Sequence, residues 1–479
     1  MKYIIFALLG ALAAFVLIII ARTLAFKPKK QPELLEGEVG FDKDKAVSAL
    51  AELVRFKTVS YSDSSLEDDG EFEGLVNELP KLYPNVFEKC EFTRFPDRGL
   101  LLKWSGREKG APSVLMAHYD VVPVNEDTWE KPPFDGILED GVLWGRGTLD
   151  TKVTVNGILF AANKLIGDGF VPENDIYFAF SGGEEVNGKG AVHIVDWFEK
   201  EGITPEMVVD EGGAVVENVF PGVDKPCGMI GIAEKGMINV KYSAKSNGGH
   251  ASAPKPHTPV GLLSKACAKI ESHPFKAHMS LPVKELFDTL GRHSTFVMRM
   301  IFANLWCFSP VLDIICKKSG GEMNALMRTT VAFTQMSGSS APNVIPPEAE
   351  MVSNIRLNPH DTQESALAYL KKTVNDENIE ITALYGMNPS PISKVDCKGW
   401  ERVSRAVVST WRGALVSPYL MVQCSDSRHY GRISDRVYRF SAMDLTKEER
   451  AMIHGNNERI RVECACRAVE FYIRLMMQS

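Results

Sequence analysis

Cysteine is scarce and carries no pairing pattern: nine residues are scattered over 479 positions without one C-x-x-C couple. That spacing argues against a disulfide framework and against a structural zinc knuckle. A basic stripe interleaved with aromatic residues is also missing, and the formal net charge is −7, which weighs against nucleic acid as a partner. With no G-x-S-x-G elbow, a serine nucleophile lacks support. The run G-E-E-V-N-G-K-G at 183–190 approaches a phosphate-binding loop. Gly190 stands where that loop needs a hydroxyl, however, and Glu184 and Glu185 would repel phosphate.

What the chain does have begins at its amino terminus. Residues 3–21 contain no charge, and 19 residues at ~1.5 Å each approach the ~30 Å hydrocarbon core of a bilayer. Residues 1–27 therefore read as a single-pass membrane anchor, with a cleaved signal peptide as the competing reading; the apolar run exceeds the usual ~7–15 residues of such a peptide. Arg22, Lys27, Lys29 and Lys30 outnumber the cations on the other flank, so the positive-inside rule favours the cytoplasmic side for the globule. Residues 28–40 read as a polar linker.

Beyond the linker the pattern is α/β, and the length suits two domains. Residues 46–56 and 153–166 have helical spacing, whereas 114–117, 176–180 and 207–209 are short apolar strands. Each strand runs into ionisable residues: His118 and Asp120 after the first, Glu184 and Glu185 after the second, and Asp210 at the end of the third. In an open sheet with helices on both faces, the carboxyl ends of neighbouring strands share one crevice. Asp150, in G-R-G-T-L-D-T-K, follows glycines and opens a helix, where backbone N–H groups favour the ionised carboxylate. His454, before Gly-Asn-Asn, is the strongest late candidate. Taken singly, each carboxylate is more often a helix cap or a solvated loop residue than a ligand. Taken together they form a mixed N/O donor set without thiolate, which suits zinc, cobalt or manganese.

The motifs H-x-D-V-V-P (118–123), W-G-R-G-x-x-D-x-K (144–152), E-E (184–185), D-E-G-G (210–213), G-G-H-A-S (248–252) and I-H-G (453–455) fall in one order. In that order the chain resembles the aminoacylase and carboxypeptidase S family of zinc exopeptidases over roughly residues 41–475. N-A-L-M-R-T-T (324–330), N-V-I-P-P-E-A-E (343–350) and S-D-S-R-H-Y (425–430) are most similar to its N-fatty-acyl-amino-acid synthase/hydrolase branch. The resemblance implies a mixed-sheet catalytic domain of residues 41–235 and 354–479, interrupted by an α+β lid or dimerisation domain of residues 236–353.

It also implies roles. Asp150 would bridge two zinc ions, with His118 and Asp210 completing one site and Glu185 and His454 the other. Glu184 would be the general base, and Asp120 would orient the imidazole of His118. His250 would stabilise the oxyanion, often across a homodimer, while Asn343 and Arg356 would hold the substrate's carboxylate. The reaction implied is hydrolysis, reversible in that branch, of the amide bond of N-acyl-amino acids or of C-terminal peptide bonds. A membrane-tethered binding protein without turnover is the alternative of another class; a complete ligand set argues against it. Gly183 and Asn354 depart from the acidic residues many relatives carry there. Residues 296–316 are rich in large apolar side chains, but Arg299, Pro310 and Asp313 argue against a spanning helix. A helical hairpin is expected, used for core packing, as a wall for a fatty acyl chain, or against a bilayer.

Overall fold

The structure is a computed structural model and describes residues 2–218 and 220–479. The apolar runs recognised in the sequence form strands Ser113–His118 and Ile176–Ser181, buried along their whole length. Strands buried on both faces suit the interior of a parallel sheet, and these two pair in parallel with His118 opposite Ser181. On its other side, Ser113–His118 pairs in parallel with the start of strand Met207–Val216. They lie within an eight-stranded mixed sheet that runs from Glu91–Phe95 at one edge to Leu415–Met421 at the other.

Alternate side chains of the strands enter different cores. Leu115, Ala117 and Phe178 pack with helices Lys152–Gly167 and Val462–Met476. Val114, Met116 and Tyr177 pack against helix Gly190–Lys200 on the opposite face. Helices on both faces leave the carboxyl ends of the central strands as the open side, and those ends carry the ionisable motifs.

Two expectations change here. The strand expected to stop at Asp210 continues to Val216, with a break in register against strand Val437–Leu445 between Asp210 and Gly213. Glu211 and Gly212 bulge at that break. Gly212 has φ of +143°, and a Cβ there would lie 2.6 Å from the Met421 sulfur, so the bulge depends on glycine.

The second change concerns the insert. An antiparallel sheet of Thr330–Ser337, Glu348–Leu357, Gly236–Lys245 and Ile379–Met387 carries its own core, including Ile238, Leu263, Ile355 and Leu370. Glu348–Leu357 pairs with Gly236–Lys245 along its full length, and the last strand ends at Met387. Residues 354–387 therefore pack with the insert, not with the second catalytic segment as the boundary at 353 supposed. Conversely Val283, Leu286, Phe287, Leu290 and Leu326, inside the insert, belong to the main core.

Helix Lys2–Ala25 is long and apolar enough to cross a membrane, and of its residues Ile19 and Thr23 are buried. The following linker lies along the layer of the main sheet, where the Leu35 amide donates to Ser409 Oγ at 2.8 Å and Gln31 Oε1 accepts from the Val416 amide at 3.1 Å. The apolar segment forms Phe296–Ala303 and Leu305–Ser319, bent by 110° at Asn304. It is an open elbow rather than the expected closed hairpin.

Leu115 is 1% exposed at the centre of the main sheet, whereas Leu138 is 55% exposed. Leu115→Ala is expected to cost about 2–5 kcal/mol in urea unfolding of the detergent-solubilised chain, and Leu138→Ala less than about 0.5 kcal/mol.

Candidate active site and metal centre

Asp150 occupies the centre of the crevice, just before helix Lys152–Gly167. Its loop is fixed from below by Glu458. Oε1 of that buried carboxylate accepts from the backbone N–H groups of Gly147, Leu149 and Asp150, at 3.1, 2.7 and 3.2 Å. Glu458 is itself paired with buried Arg146. The two oxygens of Asp150 then face different histidines. Oδ1 is 3.0 Å from Nε2 of His118, and Oδ2 is 3.0 Å from Nε2 of His454.

The Nε2 atom of each histidine meets one more carboxylate. Nε2 of His118 is 3.4 Å from Oε1 of Glu211, and Nε2 of His454 is 3.0 Å from Oε2 of Glu185. Two His/carboxylate groups thus share Asp150. His118, Asp150 and Glu185 can present donors mutually within 4.8 Å, as can His118, Glu184 and Glu211.

The expected partner of His118 was Asp210, and the structure sets Glu211 there instead. The register breaks at this pair, and the two side chains take different partners. Asp210 is turned to accept from the backbone N–H of Ser427 at 3.0 Å. The D-E dipeptide offered both residues to sequence reasoning; strand register and the bulge decide between them.

Asp120 does more than orient an imidazole. Its backbone carbonyl is hydrogen-bonded to Nδ1 of His118 at 3.0 Å, and its carboxylate Oδ1, 3.3 Å from that nitrogen, accepts from the Glu184 backbone N–H at 3.1 Å. Its Oδ2 accepts from the Glu185 N–H and from Ser60 Oγ. One buried carboxylate therefore sets both a histidine and the paired-glutamate loop. Another connection missed by sequence reasoning is buried Glu234, which binds Arg439, Arg428, Ser425 and Ser427. It holds in place the turn whose Ser427 N–H fixes Asp210.

Electrostatics follow from this crowding. Burial, against a lowering pull from His118, and the nearby Glu211, Asp426 and Glu185 charges push the Glu184 carboxyl well above the ordinary range. Burial, joined by the Asp150 charge, raises Glu211 likewise. Hydrogen bonds to Asp150 and Glu185 raise His454 to about 10. Burial alone would raise Asp150, but its two histidines outweigh it and hold the carboxyl low. Excess buried negative charge without enough positive charge is unfavourable, and Oε1 of Glu185 is buried with no hydrogen-bond partner. Donor set, shared carboxylate and orphaned oxygen all fit divalent cations.

The crevice opens into a cavity of about 680 Å³ lined by Asp150, Glu184, Glu185, Glu211 and His454 on one side. Arg356 reaches its edge through Cys424, a lining residue whose Sγ is 3.4 Å from Nη1. His250 and Asn343 are exposed and do not line this cavity. They adjoin on a two-stranded ribbon, where the carbonyl of Asn343 accepts from the Ala251 N–H.

Glu184, Glu185 and Glu211 hold protons to higher pH than free glutamate, so cation binding must displace protons. Zn²⁺ affinity is expected to tighten as pH rises, with proton release measurable by titration calorimetry in buffers of different ionisation enthalpy. Glu211→Gln should weaken it beyond the ~10–100-fold typical of losing an outer hydrogen-bond partner, and Asp210→Asn by no more than that range. The reverse ranking would return the ligand role to Asp210.

With this geometry in place, comparison with known proteins is direct. The model of the family described as Peptidase family M20/M25/M40 matches residues 114–478. The N-fatty-acyl-amino acid synthase/hydrolase PM20D1 of Xenopus tropicalis is 35% identical over 93% of this chain and 87% of its own length. The probable carboxypeptidase S-like 2 of Dictyostelium discoideum is 31% identical over 98% and 92%. Among solved structures, an M20 family metallo-carboxypeptidase from Sulfolobus solfataricus superposes with a TM-score of 0.66 at 17% identity. That match covers 90% of this chain and 98% of the other. By sequence over most of its length and by fold, the chain belongs to peptidase family M20/M25/M40, a family of metallopeptidases.

Proposed function

We propose that the protein hydrolyses, reversibly, the amide bond of N-acyl-amino acids with long acyl chains. The division of Asp150 between two histidine–carboxylate groups carries the catalytic part of this reading. Two zinc ions, held by His118, Asp150 and Glu211 and by Asp150, Glu185 and His454, would supply positive charge that acidifies water and polarises the scissile carbonyl. Glu184, fixed through its backbone by Asp120, takes the proton of the attacking water. The protonated Glu184 then hands that proton on to the departing nitrogen.

At the substrate's carboxylate end, Arg356 donates from Nε to Asn354 Oδ1 at 3.1 Å. Asn354 carries no charge, so the departure from an acidic residue leaves the guanidinium un-neutralised there and available to a carboxylate. Lys235 lies nearby, donating to the carbonyls of Ala325 and Arg328, and burial followed by the Arg356 charge lowers its ammonium to about 7. Arg356 is thus the permanent cation of the pair. Beside the carboxylates, Val216, Met229, Met421, Val422, Met443 and Leu445 also line the cavity. These apolar side chains favour an acyl chain over a short peptide. Helix Lys2–Ala25 serves as the membrane anchor, and the second sheet as a lid that brings His250 and Asn343 to the site of a partner copy.

Four outcomes are expected. Glu184→Gln should keep its metal, by elemental analysis, while kcat falls by at least ~10². Below micelle concentrations, kcat/KM should rise about threefold to fourfold per added CH₂, at ~0.8 kcal/mol each, until the cavity is full. Arg356→Ala should raise KM as methyl esterification of the substrate does. Brisk dipeptide cleavage with no response to acyl length would replace this reading by a carboxypeptidase. Finally, mixing inactive Glu184→Gln and His250→Ala chains should restore about a quarter of wild-type activity, since random pairing gives half mixed dimers with one complete site each. No recovery despite mixed dimers would place His250 outside the partner's site.

A further inference from the structure

The elbow of Phe296–Ala303 and Leu305–Ser319 is attached to the amino-terminal helix by a buried polar clamp. Asn304, at the bend, is fully buried. Its Nδ2 donates to the carbonyls of Ile19 and Met300 and to Thr23 Oγ1, at 3.2, 2.9 and 3.3 Å. Its Oδ1 accepts from Nε of Arg22, whose Nη2 donates to the Ala303 carbonyl. Above the clamp, the rings of Phe15 and Trp306 meet edge to face with centroids 5.7 Å apart.

The contact therefore covers residues 15–23 of a helix that ends at Ala25. At ~1.5 Å per residue it extends from roughly 3 to roughly 15 Å above the helix end, the depth of one leaflet of a ~30 Å hydrocarbon core. Around it the elbow exposes Phe296, Val297, Trp306, Val311 and Ile314 to about half or more of their surface. Neither arm can span: 8 and 15 residues reach only ~12 and ~22 Å. Lys317 and Lys318 close the second arm, as Lys27 and Lys29 follow the anchor, and such cations suit headgroups.

We propose that this elbow is a second membrane element. It inserts into the leaflet from which the anchor emerges and holds the catalytic layer down on the bilayer. The inference rests on the reading of Lys2–Ala25 as a membrane span. It also has a consequence for substrate: Gly321, Glu322 and Ala325, immediately after the elbow, line the catalytic cavity. The catalytic cavity is thereby held close to the leaflet in which an amphiphile dissolves.

The test uses the full chain in phosphatidylcholine vesicles, with and without bromine on the lipid acyl chains. Trp104, Trp129, Trp144, Trp197, Trp400 and Trp411 all lie outside the elbow and the anchor. Bromine should quench part of the wild-type tryptophan emission, and Trp306→Phe should remove more than half of that quenched part while retaining amidase activity in detergent. Alkaline carbonate extraction separates the two membrane claims. A chain that resists extraction but shows no Trp306-dependent quenching keeps the span and overturns the elbow. A chain stripped by carbonate overturns the span, and the proposal with it, whether or not added vesicles quench Trp306. Trp306 protected from both bromine and aqueous acrylamide, in cross-linked dimers, would assign the apolar face to a second copy and overturn the proposal.

Discussion

Asp150, Glu184, Glu185 and Glu211 meet His118 and His454 in one crevice, and carboxylates so close in a low-dielectric setting are tolerable only against positive charge or bound protons. The rest of the site answers that constraint. Asp150 stays ionised because a histidine faces each of its oxygens. The glutamates shift toward their protonated forms. Divalent cations relieve the same strain without protons, which makes a proton-linked metal site the natural resting point of such an arrangement.

Holding repelling groups at fixed separations requires a rigid surround, and here it is made of buried charges that are themselves satisfied. Glu458 ties the Asp150 loop through three backbone N–H groups and is balanced by Arg146. Asp120 joins His118 to the Glu184 loop. Glu234, balanced by Arg439 and Arg428, holds the turn that orients Asp210. Elements distant in sequence are thereby locked at a common point, which is what precise positioning of a reacting carbonyl demands.

The cavity lining combines carboxylates with methionine, valine and leucine side chains. Methionine's unbranched, adaptable side chain suits a wall that accommodates chains of varying length. The elbow that precedes Gly321, a lining residue, is joined to the amino-terminal helix through Asn304 and Trp306.

How much was legible in the sequence follows from the range of the forces involved. Strand Ser113–His118, helix Lys152–Gly167 and the apolar amino-terminal helix are set by hydrophobic period and run length, which are local properties, and each could be read directly. His118, Asp150, Glu184, Glu185 and His454 were recognisable because their motifs are short and contiguous. Asp210 against Glu211 was not, because the choice depends on pairing between strands far apart in the chain and on a bulge. The insert's edge was placed too early because hydrogen bonding of Glu348–Leu357 to Gly236–Lys245, not composition, assigns residues 354–387 to the second sheet. Glu458 and Glu234 are lone glutamates without a motif, and their importance arises only from burial beside arginine and backbone N–H groups. The sequence by itself determined which chemical groups and which elements are present. The tertiary structure alone decided which of two adjacent carboxylates faces the histidine, because opposite faces of a strand are distinguished only when its neighbours are in place.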